Sequence, residues 1–419
     1  MSKNLFVGVD GKARKAKEFY VGVNGKARRI VKAYIGDENG KARLFWEKET
    51  IPITDSLEFV SDNSFTMSAT KLWDGTIEYN NGNGNGWTIW SGGQISSNAI
   101  DGRQRIYFRG SRNTVIRGQN ATETNSWKIT GSNVECNGNI EYLLDYQKVA
   151  AGEHPEMGTY CYRHMFSNCS SLITAPELPA ITLVYACYQN MFKNCSSLTT
   201  APQLPTTTLA DYCYSYMFDG CSSLTTAPAL PATTLVIDCY YMMFNGCSSL
   251  TTAPALPATT LAKYCYQNMF KNCSSLTTAP QLPATTLAVS CYNSMFRNCS
   301  SLTTAPQLPT TTLADYCYGY MFDGCSSLTT APQLPATTLA KGCYSHMFSN
   351  CSSLTSAPAL PATTLAEDCY NSIFYNCENL ITAPALPATT LAVNCYYYMF
   401  YGCSSLTEAP SLLATTLAV

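Results

Sequence analysis

Twenty of the 21 cysteines fall into ten Cys-x7-Cys pairs, from Cys161/Cys169 to Cys395/Cys403. Thiols at a fixed interval admit three chemistries: a disulfide ladder, metal thiolates or nucleophiles. Zinc sites call for CxxC pairs or histidines at matched spacing. The chain has only His154, His164 and His346, and none is so placed. A thiol nucleophile needs a base beside it, whereas each of these thiols has nineteen near-equivalents and no nearby base. Free, buried thiols that pack as small hydrophobes are the expected state. An oxidised ladder and metal binding stay as alternatives. No Ser-His-Asp or Cys-His arrangement and no Gly-rich phosphate loop is spelled out. The residues therefore imply a protein without catalytic activity and without a cofactor.

Tyrosine is the other residue with chemical capacity. The segment LADYCYSYMFDGC, residues 209–221, tests which tyrosines face water. At ~100° per residue, Leu209, Ala210, Cys213, Tyr214, Met217 and Phe218 share one arc, while Asp211, Tyr212, Ser215, Tyr216 and Asp219 take the other. The first group hardly changes between copies and the second varies freely, which predicts a short amphipathic helix with a variable outer face. That face carries Tyr212, Tyr216, Tyr241, Tyr264, Tyr316, Tyr320, Tyr397 and Tyr398, the candidate ligand-binding residues. Tyrosine is rigid and amphipathic and suits protein and sugar recognition alike. Simple tolerance of variation on an exposed surface is the bland alternative. His164 and His346 are expected at exposed positions of the same face.

These residues recur because the chain repeats. A Met-Phe pair returns every 26 residues at Met165, Met191, Met217, Met243, Met269, Met295, Met321, Met347 and Met399, with Ile373 standing in once. A fixed period of this size marks a stacked array whose units bury their apolar faces only against neighbours. Thr207 or Thr208 is a candidate helix cap after Pro205. Asn or Gly precedes the second Cys of every unit, as Asn194 and Gly220 do, and reads as a left-handed helix C-terminal turn. CSSLTTAP then reads as a short strand that Pro228 and Pro231 end. Adjacent threonines such as Thr225 and Thr226 are expected on opposite sides of it. In the last unit, SLLATTLAV replaces a corner proline with Leu413, which leaves an end that a partner covers or that frays.

Composition divides the rest. Residues 1–48 carry a net charge of +7 and the remainder −9, and all five Trp lie between Trp46 and Trp127. Residues 1–49 form a basic module of GVDGKAR-like repeats, read as a small β-meander with type I′ turns at Asp10-Gly11 and Asn24-Gly25. Lys12, Arg14, Lys26, Arg28, Lys41 and Arg43 are its candidate docking residues. Ordinary solvent-facing charge accounts for them better than nucleic-acid binding does. Residues 50–150 read as a β-sandwich-like domain of short strands, NIEYLL among them. Trp87, Trp90 and Trp127 are expected in its core rather than on a sugar-binding platform. Residues 151–419 are the array. No secretory leader or membrane span is spelled out.

The motif MFDGCSSLTTAPALPATTL and its copies resemble the BspA-like leucine-rich repeats of bacterial surface and gut-associated proteins. That resemblance implies an α/β leucine-rich-repeat solenoid of ten 26-residue coils, each a short parallel strand plus a short helix, preceded by all-β N-terminal modules. TIEYNNGNGNGWTIW, RIYFRG and ITGSNVECNGNIEYLLD resemble the β-domain that often precedes such arrays. The GVNGKAR repeats are similar to N-terminal segments of bacteriophage tail and structural proteins. Together the resemblances imply adhesion or receptor binding: a tail-associated virion component, with a bacterial cell-surface adhesin as the alternative. The expected partners are other virion or surface structural proteins at the N-terminal module and a bacterial surface glycan or protein at the repeats. A homotrimer follows by analogy with fibre-like parts, and neither nucleic acid nor membrane insertion is implied.

Overall fold

The computed structural model describes residues 55–117 and 127–417, together with the backbone of six strands between Phe6 and Glu47. The chain divides into two compact units, residues 1–54 with 83–86, and residues 55–82 with 87–419. In the first, β1 (Phe6–Val9) pairs β2 (Lys12–Lys15), β3 (Phe19–Val23) pairs β4 (Lys26–Ile30) and β5 (Lys32–Gly36) pairs β6 (Ala42–Glu47), all antiparallel. Each pair is its own two-stranded sheet, so three separate hairpins replace the expected meander. The register explains this: Val9 faces Lys12 and Val23 faces Lys26, so the first two repeats close on themselves across two residues, and in the third Gly36 faces Ala42 across five. The turns at Asp10-Gly11 and Asn24-Gly25, Lys41, and the side chains of Lys12, Arg14, Lys26, Arg28 and Arg43 lie outside the described residues.

The second unit opens with strands β7 (Leu57–Ser61), β8 (Thr66–Ser68), β9 (Thr76–Asn80), β10 (Thr88–Ile89), β11 (Ile95–Ser96), β12 (Asn98–Ile100), β13 (Arg103–Ser111), β14 (Lys128–Thr130) and β15 (Val134–Asn137). One sheet runs β10-β9-β13-β7-β15-β16, with β12 also on β13, and a smaller one runs β11-β8-β14. Strand β16 is Leu172–Thr174 of the first repeat and pairs β15 in parallel, so the sheet leads directly into the array. NIEYLL is not a strand. Its end begins α1 (Tyr142–Ala150), which buries Leu143 and Leu144. Asn113, itself buried, donates to the Leu143 carbonyl at 2.9 Å and thereby fixes that segment against β13.

Trp90 and Trp127 are buried, as is Trp73, while Trp87 is half-buried beneath the Arg109 guanidinium at 4.2 Å. The indoles of Trp73, Trp90 and Trp127 pack with Phe108, and the cluster reaches the first coil where Phe59 and Trp127 meet Phe166 at 6.0 and 6.2 Å. These aromatics close one end of the repeat core.

Each 26-residue unit is one coil, and its apolar stretch is not a helix. Around residues 211–221 the chain is a ribbon of overlapping four-residue turns. Cys213, Ser215, Met217, Asp219 and Cys221 donate their amides three residues back, to Ala210, Tyr212, Tyr214, Tyr216 and Phe218. The alternate amides leave the coil: Tyr212, Tyr214, Tyr216, Phe218 and Gly220 donate to Ile237, Cys239, Tyr241, Met243 and Asn245 of the next. An α-helix would spend every amide internally on the residue four back. The ribbon spends half of them between coils. Its turns require a left-handed residue at every fourth position, and Tyr212, Tyr216 and Gly220 have φ of 60°, 56° and 75°.

The burial follows a strict period of four. Cys213, Met217 and Cys221 form one buried row and Tyr214 and Phe218 a second. On a helix, Cys221 would have turned ~80° away from Cys213. The expected outer arc is therefore corrected, because Ser215 is fully buried and Asp219 nearly so. The Asn or Gly before each second Cys is left-handed, as expected, but sits inside a turn ribbon rather than at a helix end. Of the expected CSSLTTAP strands, β16 is a strand and other described coils contribute single bridges there, such as Thr200–Thr226. In contrast, β17 (Thr390–Leu391), β18 (Thr416–Leu417) and the bridge Thr234–Thr260 lie in the ATTL segment, where a helix start is expected. A one-residue bridge imposes no alternation, so Thr225 and Thr226 are both exposed.

Stacking makes ladders. Phe166 to Phe400 form one ladder of rings and Tyr162 to Tyr396 another, with successive phenylalanine centroids 5.7 Å apart at its start and 5.8 Å at its end. The second Cys of each coil after the first donates its thiol to the phenylalanine carbonyl of the coil before, as Cys221 does to Phe192 at 3.1 Å, and in the first coil Cys169 donates to the Trp127 carbonyl. All 21 thiols are free, and all but Cys403 are buried. Gly220 tests the left-handed ladder. A Cβ there would collide with the Asn194 side-chain amide, and a left-handed alanine costs ~1–2 kcal/mol. Gly220→Ala should lower the thermal midpoint of the full chain. Gly246→Asn, which puts the residue that other coils use there into a position where a Cβ meets only the Gly220 backbone at ordinary contact distance, should leave it nearly unchanged. Equal midpoints for the two variants would contradict the ladder.

Candidate functional site

Variable side chains collect along the turn ribbon in parallel rows, one residue per coil, some exposed and others, such as Asp323, Ser349 and Ser372, covered by their neighbours. One row contains Tyr320, His346, Ser372 and Tyr398, a second Arg297, Asp323, Ser349 and Tyr375, and a third Asn371 and Tyr397. The first row is left-handed throughout, with φ of 56°, 55°, 52° and 49°. Left-handed residues in type II turns project their side chains away from the core without disturbing the buried rows, which explains why the positions vary so freely.

The structure sorts the eight candidate tyrosines. Tyr212, Tyr216 and Tyr241 belong to an early cluster, where Tyr212 meets Tyr185 at 5.5 Å and Tyr216 meets Tyr241 at 5.1 Å. Lys193 lies over the Tyr216 ring at 5.6 Å. Burial pushes the Tyr216 hydroxyl well above its ordinary pKa, so that side chain is a half-buried brace. Tyr264 is exposed by itself between the clusters, and Tyr316 lies beneath Gly342, whose Cβ would strike its ring. Tyr320, Tyr397 and Tyr398 come together at a groove.

That groove has a volume of about 510 Å³ and crosses coils from Arg297 to Tyr398. One wall is the Tyr320 ring stacked on His346 at 4.4 Å. The other is Tyr397 and Tyr398, 4.1 Å apart and each about half exposed, backed by Tyr375 and Tyr401 stacked at 5.0 Å. Ser372 makes the gap, since the same row carries tyrosine one coil later and histidine one coil earlier. The floor is polar: Ser349 Oγ donates to the Ser372 carbonyl at 2.8 Å and Ser372 Oγ to Asn371 Oδ1 at 2.9 Å. At one corner Arg297 Nε stands 2.8 Å from Asp323 Oδ2, while Asn350 Nδ2 donates to Asp323 Oδ1 at 2.8 Å.

His346 is half-buried, and His164 is buried, against the expectation that both are exposed. Burial lowers the His346 pKa, and Arg297 adds to this; Asp323 and Asp368 oppose it. Ser345 Oγ lies 2.9 Å from His346 Nδ1 but is itself buried, so the pair orients the ring and offers no accessible nucleophile. The thiols are no more reactive. Burial pushes Cys169, Cys187 and Cys239 up to about 12. Among the described residues no group of three or more His, Cys, Asp or Glu is placed to hold a metal ion, and no helix is long and apolar enough to cross a membrane.

The BspA-type leucine-rich repeat region matches residues 147–251, 212–355 and 318–411, well over half of the chain. The chain belongs to the BspA-type leucine-rich repeat family. No curated protein and no solved structure matches it. The BspA-type match begins within α1 and takes in every coil that contributes to the groove. Membership of this family points to surface or adhesion-type protein–protein interaction.

Sequence reasoning missed Arg297, Asp323, His346, Ser349, Asn371 and Ser372. Each differs from its counterparts in neighbouring coils, and a comparison of copies marks such positions only as variable. The tyrosines stood out through residue type. The lowered His346 pKa fixes the sign of a pH effect. Below its ordinary value of about 6.5 the unfolded chain takes up a proton that the folded site resists. The stability contributed by neutral His346 is present above that value and is lost as pH falls towards the lowered one. Between pH 7.5 and 5.5 the wild-type midpoint should therefore fall further than that of His346→Asn, the residue used at Asn190 and Asn268. Parallel pH profiles for the two proteins would refute this assignment.

Proposed function

We propose that the chain is a non-enzymatic adhesion and recognition protein. Its repeats form a solenoid that presents the outer face of the turn ribbon to a bacterial surface ligand, and the basic N-terminal hairpins dock it to a larger structure. The separation of side chains supports this most directly: near-invariant residues stack as ladders in the core, whereas variation is confined to a few outward rows. The high thiol pKa values and the buried Ser345 argue against turnover. In the finer reading the larger structure is a bacteriophage tail and the chain a virion component, for which the GVNGKAR-like hairpins are the motive and a homotrimer the form expected by analogy. A bacterial cell-surface adhesin that binds host protein or glycan is the second reading, favoured by the family match.

Fluorescently labelled full-length protein should bind intact bacterial cells saturably, and the chain should be found by mass spectrometry in purified virions. Cell binding together with absence from virions would remove the tail-associated role. Binding to immobilised host matrix proteins but not to bacteria would select the second reading. Saturable binding to neither would overturn the proposal as a whole.

A further inference from the structure

We infer that the groove between Tyr320/His346 and Tyr397/Tyr398 is a binding site for an uncharged saccharide, a short run of neutral pyranose rings. This rests on the recognition reading above and names its ligand class.

Three features select that chemistry. First, the walls are aromatic faces that stand apart rather than closing on each other. A pyranose presents a face of C–H groups that packs on an aromatic ring, while its rim carries hydroxyls, so it needs aromatic walls and a polar floor at once. The groove supplies both, with tyrosine rings at its ends and Ser349, Asn371 and Ser372 beneath. Second, the charged corner is internally neutral. Asp323 is paired with Arg297 and braced by Asn350, so neither an anionic nor a cationic ligand finds an unmatched partner. Third, the side chains that line the groove include no aliphatic residue of the kind that forms an anchoring pocket for a peptide side chain.

The dimensions fit. A cavity of about 510 Å³ lies within the ~300–1,000 Å³ typical of small-molecule sites. Coils stack at the ~4.8 Å spacing of paired strands, so the three steps from Tyr320 to Tyr398 span ~14 Å, enough for two linked rings. Of the His346 nitrogens, Nδ1 is engaged by Ser345 Oγ, which leaves Nε2 to serve a ligand hydroxyl.

The groove exists because Ser372 interrupts a row in which left-handed tyrosine is already accommodated at Tyr216, Tyr320 and Tyr398. Ser372→Tyr should therefore fold and fill the gap. Titration calorimetry of the full chain against a panel of neutral disaccharides (maltose, cellobiose, lactose, mannobiose, chitobiose) should show binding to at least one. Its affinity should be little changed between 50 and 500 mM salt, and Ser372→Tyr and Tyr397→Ser should each weaken it at least tenfold. Unchanged circular dichroism and thermal midpoint would separate an occupied groove from misfolding. A panel with no binder, or a disaccharide held equally well by Ser372→Tyr, overturns the assignment. The cell-binding measurement keeps the two levels apart. Cells bound by both wild type and Ser372→Tyr with no disaccharide bound would sink the saccharide site and leave the adhesion reading standing. Wild-type protein that binds neither bacterial cells nor host matrix proteins would sink the adhesion reading itself.

Discussion

The structure depends on the alternation of backbone amides in the turn ribbon, half closing turns within a coil and half crossing to the next. Buried amides must be satisfied, and an array of 26-residue coils has few routes to do it. A helix in each coil would satisfy its own donors and leave packing alone to hold neighbours together. The ribbon instead ties each coil after the first to the next by five hydrogen bonds along this one segment, and the first by four, since its Tyr162 amide turns to Ile116. The ladders follow, since a fixed crossing register sets each Phe, Tyr and Cys upon its counterpart 26 residues away. The cost is backbone strain at three left-handed positions per coil, four in the first, and Gly and Asn hold the one before each second Cys.

The same alternation separates core from surface more sharply than a helix does. In a helix the boundary between faces drifts with the 3.6-residue period, and intermediate positions are partly buried. In the ribbon the period is four, so each residue type keeps its role along the whole array. Rows such as Tyr320, His346, Ser372 and Tyr398 can then change residue by residue without penalty to the ladder behind them. A groove arises simply from placing a small residue between large ones. The N-terminal end of this system is closed by the Trp and Phe cluster of the preceding sheets, which continues the phenylalanine ladder from Phe166 into Phe59 and Trp127.

How much of this was legible in the sequence depended on whether a position recurs. The 26-residue period, the ten units and the inward Cys, Met-Phe and Leu rows could all be read from repetition, because copies of one unit act as each other's comparison. The helix could not be told from the ribbon by burial alone, since both place Cys213, Tyr214, Met217 and Phe218 inward. The discriminating signal was present but weak. Cys213, Met217 and Cys221 are spaced by strict fours, and residues that tolerate left-handed backbone recur at 168, 194 and 220. The other two left-handed positions hold a mixture of Tyr, Ser, Asp, His, Asn, Ala, Met and Gly, with no residue type constant enough to mark the φ from copy to copy.

The groove illustrates the converse limit. Its members share no motif, come from five coils and are brought together by stacking rather than by sequence proximity. Tyr397 and Tyr398 were visible as tyrosines, yet what makes them a wall is Ser372, an unremarkable residue 26 positions before Tyr398. A repeat array thus encodes its scaffold in what recurs and its specificity in departures from recurrence along a row. For this chain the departure that matters is a missing ring between His346 and Tyr398. Restoring that ring is a smaller perturbation than removing any wall, because the scaffold already accepts tyrosine there in three other coils.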